Sequence, residues 1–174
     1  MNSPELKISD SHDWPFAIFQ YEPKDELLIR KQIKLLKSRL KNKNIIEISL
    51  ADIFWDRLKM IDLNRLFESE KEHGLERTID TIHSVLSDDE NEEGAIEDLI
   101  EKKLTKEYPP NTIIFLIRVG VLFPVYRTSA ILENLYQKIK MPTILFYPGT
   151  KVASHGLKFM GLTEPNYNYR GKIY

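Results

Sequence analysis

The sequence predicts an α/β fold: a three-layer sandwich built on a mainly parallel sheet of four to five strands. Strand-like and helix-like segments alternate along the chain, which is typical of parallel strands joined through helices. The segment Thr112–Val119 is almost continuously apolar, as expected of a central strand covered on both faces. A long helical stretch, residues 62–106, separates the second predicted strand from the third, which predicts a helical insertion over the sheet.

The first part of the chain predicts two strands and two helices. Trp14–Glu22 is rich in aromatic and branched residues and predicts the first strand, which Pro23 ends. A helix is expected over residues 25–40, because acidic residues favour a helix start. Its apolar residues share one face: Ile29, Ile33, Leu36 and Leu40. Ile45–Leu50 predicts the second strand and Asp52–Lys59 the next helix.

The helical insertion is predicted in three pieces. Gly74 and the acidic stretch Ser87–Gly94 are its two breaks, and Pro109-Pro110 ends the region. Each piece carries apolar residues at helical spacing: Leu63, Leu66 and Phe67; Ile79, Ile82 and Leu86; Ile96, Leu99 and Ile100. The insertion is therefore expected to cap one edge of the sheet or to cover one of its faces.

The last part of the chain completes the sheet. Thr112–Val119 is the third predicted strand, and a helix is expected over Tyr126–Ile139. Thr143–Tyr147 predicts the fourth strand, and a short edge strand is expected around Lys158–Leu162. Crossovers between parallel strands should be right-handed. With 174 residues, the chain is expected to form one domain, with residues 1–13 as a polar leader.

Composition bounds the class of protein. Hydrophobic residues make up 42% and charged residues 29%, which is typical of an ordered globular protein. The net charge of −1 and the pI of about 6.4 do not indicate a nucleic-acid or membrane partner. No apolar run reaches the ~18–20 residues that span a bilayer, and no signal peptide is apparent. A cytoplasmic protein is the expectation.

The sequence lacks the motifs of several enzyme classes. It contains no cysteine, which excludes a disulfide framework, a zinc finger and a cysteine nucleophile. The first strand is followed by residues 22–26, EPKDE, and not by a glycine-rich phosphate loop. Arg118 stands where an acidic residue could hold magnesium. Neither G-x-G-x-x-G nor G-x-S-x-G occurs. We therefore expect no enzymatic activity, no catalytic residue, no metal site and no cofactor.

Residues after the third and fourth strands form the candidate site. Arg118 ends an apolar strand, where an uncompensated charge is costly. Arg118 and Arg127 have two interpretations: an internal ion pair that fixes the loop, or a clamp for a phosphate or a partner's carboxylate. The segment Tyr147-Pro148-Gly149-Thr150 predicts a turn at the same sheet edge. The candidate interaction or phosphate site comprises Arg118, Phe123, Pro124, Arg127, Tyr147, Pro148, Gly149, Thr150, Tyr169 and Arg170.

Histidines and charged segments give weaker signals. The four histidines have no ligand spacing; His83 is expected to be structural, and His155 has only Ser154 and Thr150 nearby as nucleophiles. Residues 30–43 carry seven basic residues and no acid, which indicates a solvated helix face or a contact for phosphates or an acidic partner. Residues 88–98 carry seven carboxylates without the spacing of a calcium loop.

Four strings in the last third of the chain occur in a distinctive order: IIFLIRVGVLFPVYR at 113–127, PTILFYPGT at 142–150, GLKFMG at 156–161 and NYRGKIY at 168–174. Together they resemble the BrxB family of BREX phage-defence systems. The N-terminal WPFAIFQYEPKDELLIRKQI resembles the family as well, so the resemblance spans roughly residues 14–174. It implies a bacterial cytoplasmic protein that works beside a phosphatase-like PglZ protein, a DNA methyltransferase and a large ATPase.

The resemblance carries no catalytic residue over to this chain. It implies a non-enzymatic adaptor that binds a PglZ-type partner and supports host DNA methylation and phage exclusion. Two alternatives stay open from the residues themselves. One is a phosphate- or nucleotide-binding α/β domain without a phosphate loop, which the strand-end arginines favour. The other is a weak DNA-binding accessory protein that uses the basic helix.

Overall fold

A sheet of six strands forms the centre of the molecule, in a computed structural model that describes residues 14–87, 94–104, 107–153, 156–169 and 171–174. The strands are β1 (Phe16–Tyr21), β2 (Asn44–Ser49), β3 (Thr112–Ile117), β4 (Thr143–Val152), β5 (Gly156–Phe159) and β6 (Lys172–Ile173). The helices are α1 (Glu26–Arg39), α2 (Leu50–Leu58), α3 (Leu63–Ser87), α4 (Ile96–Lys102) and α5 (Thr128–Tyr136).

The sheet is mainly parallel. Five strands follow the order β2-β3-β4-β1-β6 with parallel pairing throughout, and β5 pairs antiparallel with the second half of β4. The predicted α/β class with a mainly parallel sheet is therefore confirmed. The two-residue β6 adds one strand to the predicted number, because two residues are too short to give a sequence pattern.

Helices cover both faces of the sheet, which gives the three predicted layers. One face carries Ile18, Ile114 and Leu145, which belong to the larger buried cluster together with apolar residues of α2, α3, α4 and α5. The opposite face carries a smaller cluster with Phe115 and Phe146, which α1 covers through Ile33. The alternation of inward and outward side chains along each strand explains why successive residues join different clusters.

β4 runs straight through the segment that the sequence predicts as a turn. Pro148 still pairs with β1, opposite Tyr21, whereas Gly149 already pairs with β5, opposite Phe159. The strand therefore continues while its neighbour changes from β1 to β5. Proline has no backbone N–H to donate, and it stands at the position where the neighbour changes. The predicted turn at residues 147–150 is wrong, because a second strand partner keeps the segment extended.

The helical boundaries follow the predicted breaks. Gly74 adopts φ 81° and ψ 175° and kinks α3, as expected of the first break. Most of the acidic second break, residues 88–93, lies outside the described residues, as does the leader at 1–13. α5 begins at Thr128 and ends at Tyr136, so it is shorter at both ends than the helix predicted over Tyr126–Ile139. A 3₁₀ helix, Val119–Leu122, precedes it. Among the described residues, no helix is both long and apolar enough to cross a membrane.

Candidate functional site

An open cleft lies at the edge of the sheet where β1, β2 and β3 end. Parallel strands bring their carboxyl ends to one edge, which is where open α/β folds place binding groups. The cleft has a volume of about 360 Å³, close to the lower end of ligand-site volumes. Its lining residues are Pro23, Glu26, Arg30, Ala51, Trp55, Arg118, Gly120, Val121, Pro148 and Met160. Arg118 and Pro148 come together there, as the sequence predicts for their two strands.

Arg118 is held in place by the start of α2. Its Nη1 donates to Asp52 Oδ1 at 2.8 Å and to Ser49 Oγ at 3.3 Å. Ser49 also caps α2, since its Oγ accepts from the backbone N–H of Asp52 at 3.3 Å. The Arg118 backbone is left-handed, with φ 57° and ψ 38°, which is an uncommon conformation for a side-chain-bearing residue. The ion-pair interpretation therefore describes Arg118 correctly, with a partner on α2.

One nitrogen of Arg118 has no partner. Its Nε is buried and makes no hydrogen bond within the part of the chain that the structure describes. A buried donor without an acceptor is costly. The side chain as a whole is 35% exposed, which leaves the guanidinium accessible from the cleft.

A second guanidinium borders the same cleft. Arg30 Nε donates to Glu26 Oε1 at 2.7 Å, one helical turn away. The other oxygen of Glu26 accepts from the hydroxyl of Tyr21. Burial, reinforced by the Glu26 carboxylate, raises the pKa of Tyr21 far above its ordinary value, so this hydroxyl stays protonated and acts as a donor. Glu26 is thus fixed from two sides and orients Arg30.

Apolar groups complete the cleft. Trp55 lies on α2 with half of its surface exposed, and Phe54 packs edge-on against it at 5.5 Å between ring centroids. Met160 and Pro148 form the other apolar part of the lining, where β4 meets the turn after β5. A cleft with an exposed tryptophan, a methionine and two anchored arginines has the residue types that protein interfaces favour.

Two tyrosines of the predicted site are buried elsewhere. Tyr147 and Tyr169 pack against each other at 5.6 Å between ring centroids, and the hydroxyl of Tyr169 hydrogen-bonds Thr128 Oγ1 at 2.6 Å. Burial raises the pKa of both hydroxyls. They connect β4 to the start of α5, and their rings do not line the cleft.

The other predicted residues are spread over neighbouring positions. Phe123 is half-buried and packs edge-on against Phe159 at 5.9 Å. Pro124 and Arg127 are exposed, and Arg127 makes no ion pair with another described residue. Gly149 is buried, and Thr150 is half-buried on β4. Arg170, Ser154 and His155 lie outside the described residues.

Sequence reasoning missed most of the cleft, because only Arg118 and Pro148 of its ten lining residues belong to the predicted site. Trp55, Arg30 and Met160 were not predicted to belong to the site. A usable signal existed, because Trp55 lies six residues after the end of β2, and all parallel strands end at the same edge. His83 is exposed and stacks on Tyr126 at 5.6 Å, in agreement with a structural role. The described residues contain no group of His, Asp and Glu that could hold a metal ion.

Comparison with known proteins places the chain. The sequence model of the BrxB family, whose description is BREX protein BrxB, matches residues 46–173 of this chain. A protein of Bacillus cereus (strain H3081.97), named BREX protein BrxB, is 30% identical over 157 residues, which cover 87% of this chain and 79% of that protein. No solved structure matches the chain significantly. Both matches span most of the chain, and the chain therefore belongs to the BrxB family, with a role associated with BREX systems.

Proposed function

We propose that this protein is a non-enzymatic adaptor of a BREX complex and that it binds a PglZ-type component through the cleft at the sheet edge. Membership of the family implies other BREX components as partners. The observation that carries the proposal is the half-exposed Trp55 beside two anchored guanidiniums in one cleft. The PglZ-type partner, the non-enzymatic character and a cytoplasmic location follow from the family resemblance and belong to the proposal.

The cleft is suited to a protein partner for two physical reasons. Arg118 and Arg30 already have their orientations fixed by Asp52 and Glu26, so binding immobilises little additional side-chain freedom. Trp55 presents a large rigid surface whose burial stabilises a complex through the hydrophobic effect. A partner carboxylate or backbone carbonyl could accept from the exposed part of the Arg118 guanidinium, while an apolar group of the partner packs on Trp55.

The test is a binding measurement with purified components. The chain and its PglZ-type neighbour are mixed, and the complex is measured by size exclusion with light scattering and by titration calorimetry. Trp55→Ala and Arg118→Ala should each weaken binding about tenfold or more, as expected for interface anchors. Phe67→Ala is the matched control, because Phe67 is a comparably exposed aromatic residue on α3, outside the cleft lining.

Two results would oppose the proposal. If the two folded proteins form no complex at micromolar concentration, the PglZ-type partner is wrong. If they form a complex that Trp55→Ala and Arg118→Ala leave unchanged, the cleft is not the interface.

A second candidate function rests on the two guanidiniums, of Arg30 and Arg118, that line the cleft. Two guanidiniums on one cleft can bind a phosphate group, and this supports a phosphate- or nucleotide-binding domain without a phosphate loop. A thermal-shift series with inorganic phosphate, ATP and GTP tests it. A ligand that binds should raise the Tm, and Arg118→Ala should remove that increase while the protein still folds. The absence of any shift in the unaltered protein would exclude this function.

A further inference from the structure

Strand β2 forms an open edge of the sheet. It stands at one end of the strand order and pairs only with β3 among the described residues. The opposite edge is formed by β6, which has only two residues. Very short strands, prolines and bulges are common means of protecting a sheet edge from other chains. β2 has six residues, contains no proline and keeps an unbroken register with β3, so it uses none of these means.

The backbone of β2 offers hydrogen-bonding groups on its outer side. The N–H of Asn44 donates to the carbonyl oxygen of Asn111 at 3.3 Å, which fixes the pattern of the parallel ladder. Alternate residues of β2, beginning with Asn44, therefore direct their N–H and C=O groups towards β3. The same groups of Ile45 and Glu47 point away from β3 and make no backbone hydrogen bond with another described residue. An additional strand at this edge would supply their partners.

The side chains of β2 make the two faces of this edge different. Ile46 and Ile48 pack with the larger apolar cluster, on the face that α2 to α5 cover. Ile45 packs against the smaller cluster on the α1 face, to which Glu47 also points. Residues 44–47 are all partly exposed. A strand added here would therefore place an apolar side chain beside Ile46 and meet α1 with its other side chains.

α1 presents a cation towards this edge. Lys37 pairs with Glu47 of β2 at 2.5 Å between Nζ and Oε1, so the Lys37 side of α1 faces β2. Measured around the helix from the sheet-facing Ile33, Lys37 lies at about 40° and Lys34 at about 100° in the same direction. Lys34 is therefore on the β2 side of α1 but further from the sheet, above the position that an added strand would occupy.

Lys34 lacks a carboxylate partner within the described ranges. Its side chain is exposed and forms no ion pair with another described residue. Residues 27–46 contain no aspartate or glutamate. The nearest carboxylates in sequence on either side, Glu26 and Glu47, are engaged by Arg30 and Lys37. A carboxylate from outside the chain would complete this side of the edge.

We infer that β2 accepts an extended segment of a partner protein as an additional strand of the sheet. The segment carries an apolar residue beside Ile46 and, on its α1 face, a carboxylate that reaches Lys34. Main-chain hydrogen bonds to Ile45 and Glu47 supply affinity, and the alternation of apolar and acidic side chains supplies selectivity. The edge runs along β2 and is separate from the cleft at the strand ends, so it adds a second binding surface to the molecule.

A second copy of this chain fits the edge less well. Two β2 strands would pair antiparallel about a two-fold axis perpendicular to the sheet. This axis keeps both α1 helices on the same face of the joined sheet, with their Lys34 sides turned towards each other. Cations would then face cations, which disfavours the pairing. A partner with an acidic side chain at this position has no such penalty.

Two substitutions at Ile45 test the added strand. The tagged full chain is purified from cells that produce all the neighbouring BREX components, and each retained component is quantified by mass spectrometry. Ile45→Ala and Ile45→Pro both remove the isoleucine side chain, but only proline also removes the outward N–H. We expect Ile45→Pro to retain one component about tenfold less than Ile45→Ala does. Because the ladder with β3 does not use this N–H, both variants should fold, which circular dichroism checks.

Hydrogen exchange of the unaltered chain gives a second measurement that needs no substitution. The N–H groups of Ile45 and Glu47 should exchange quickly in the free chain and slowly in the complex with the retained component. Equal retention of every component by the two Ile45 variants, or exchange of residues 44–49 that is the same in the complex and in the free chain, would overturn the inference. Protection that appears when the chain alone is concentrated would also overturn it, because the occupant would be a second copy.

Charge reversal tests the acidic side chain of the segment. Lys34→Glu should reduce retention of the same component about fivefold or more, because two carboxylates would then face each other. Arg39→Glu is the matched control, since Arg39 is equally exposed but lies about 140° around α1 from Lys34, away from β2. Equal retention by the two variants would contradict the acidic character of the segment. These comparisons involve no residue that lines the cleft, so the edge and the cleft are tested independently.

Discussion

Arg118 shows what a single position in the sequence can and cannot predict. A charge at the end of an apolar strand indicated a compensated or functional residue, and the structure gives it a carboxylate partner at 2.8 Å. Asp52, that partner, is 66 residues away in the chain, and no local pattern connects the two. The left-handed backbone of Arg118 could not be predicted either, because arginine is not a residue type that favours this conformation.

The backbone and the ion pair of Arg118 have opposite effects on stability, which two variants can separate. The ion pair is partly exposed and contributes at most about 1 kcal/mol, whereas a left-handed non-glycine residue costs about 1 kcal/mol. Arg118→Ala loses the ion pair and keeps the strain, so its free energy of unfolding should fall slightly. Arg118→Gly loses both and should be about 1 kcal/mol more stable than Arg118→Ala. Urea unfolding measures the difference; a glycine variant less stable than the alanine variant would contradict the strain argument.

Arg57 is a residue whose environment the sequence did not reveal. It lies in a predicted helix that otherwise looked half-solvated, yet only 2% of it is exposed. Its Nε donates to the carbonyl oxygen of Val85 at 2.9 Å, near the end of α3. A guanidinium can satisfy the last carbonyls of a helix, and this contact joins α2 to α3. The sequence carries no local sign of this burial, because the acceptor is supplied by packing between two distant helices.

At the scale of elements, the strands were predicted better than their ends. The cores of β1 to β4 agree with the apolar runs, since burial on both faces imposes continuous hydrophobic sequence. β4 continues for five residues past the predicted end at Tyr147, because β5 folds back onto it. Turn-like residues therefore misled the prediction: proline and glycine here allow a change of strand neighbour and a close approach of two strands.

The close approach of β5 makes Gly149 sensitive to substitution. A Cβ at Gly149 would overlap the backbone carbonyl of Lys158 and the ring of Tyr147, neither of which can move freely. We expect Gly149→Ala to destabilise the protein by about 3 kcal/mol or more, in the range of overpacked core positions. Gly74→Ala is the matched control, because nothing lies within 4 Å of a Cβ there and only the positive φ of 81° opposes it.

Thermal or urea unfolding of these two glycine variants distinguishes a steric cause from a conformational one. Gly74→Ala should cost about 2 kcal/mol, because φ 81° with ψ 175° is a backbone conformation that essentially only glycine adopts. Equal destabilisation by the two substitutions would show that the contact between β4 and β5 is looser than described.

The contact between α4 and α5 contains a buried carboxyl group that should make stability depend on pH. Glu97 Oε1 accepts from the Tyr126 hydroxyl at 3.0 Å and from Asn134 Nδ2 at 3.2 Å, while its Oε2 is buried with no partner among the described residues. Burial raises the pKa of Glu97 despite these hydrogen bonds and the nearby Lys138. The folded state therefore holds this proton more tightly than the unfolded chain does.

The sign of the effect follows from the number of protons bound. Between the unfolded pKa, about 4.3, and the raised folded pKa, the folded state binds more protons, so Glu97 lowers stability as pH rises through that window. Glu97→Gln removes this titration. The difference in free energy of unfolding, taken as the Glu97→Gln variant minus the unaltered protein, should therefore become more positive as the pH rises from 4 to 7. Urea unfolding across this range measures it, and a pH-independent difference would oppose the assignment.

At the scale of the molecule, the fold class followed from the sequence, but the arrangement of its parts did not. Consecutive strands β1 and β2 are separated in the sheet by β3 and β4, and β1 lies between β4 and the C-terminal β6. Alternating strand and helix patterns are compatible with several strand orders, because the order depends on where each crossover packs. The same limitation hid Arg30 and Trp55 from the predicted site: they meet Arg118 only once the strand order places their elements together.

The short strand β6 has a consequence for the whole molecule, because it covers the edge of β1. Ala17 and Ile18 pair with Lys172 and Ile173, and Tyr174 adds hydrogen bonds to Ile18 and Gln20 at 2.9 and 3.1 Å. Ending the chain at Tyr169 would leave the unpaired edge of an apolar strand, which is a template for association. We expect the shortened protein to fold, to lose some stability and to associate with rising concentration beyond what the full chain shows.

Light scattering over a concentration series tests this prediction, with circular dichroism to show that the shortened chain is folded. Ile173→Ala in the full chain is the matched control, because it removes an apolar side chain from β6 but keeps the backbone ladder that covers β1. Association should therefore follow the loss of backbone partners and should be weak or absent in the control. If the folded, shortened chain associated no more than the full chain at every concentration, the prediction would be wrong, and the edge of β1 would be protected by something other than β6.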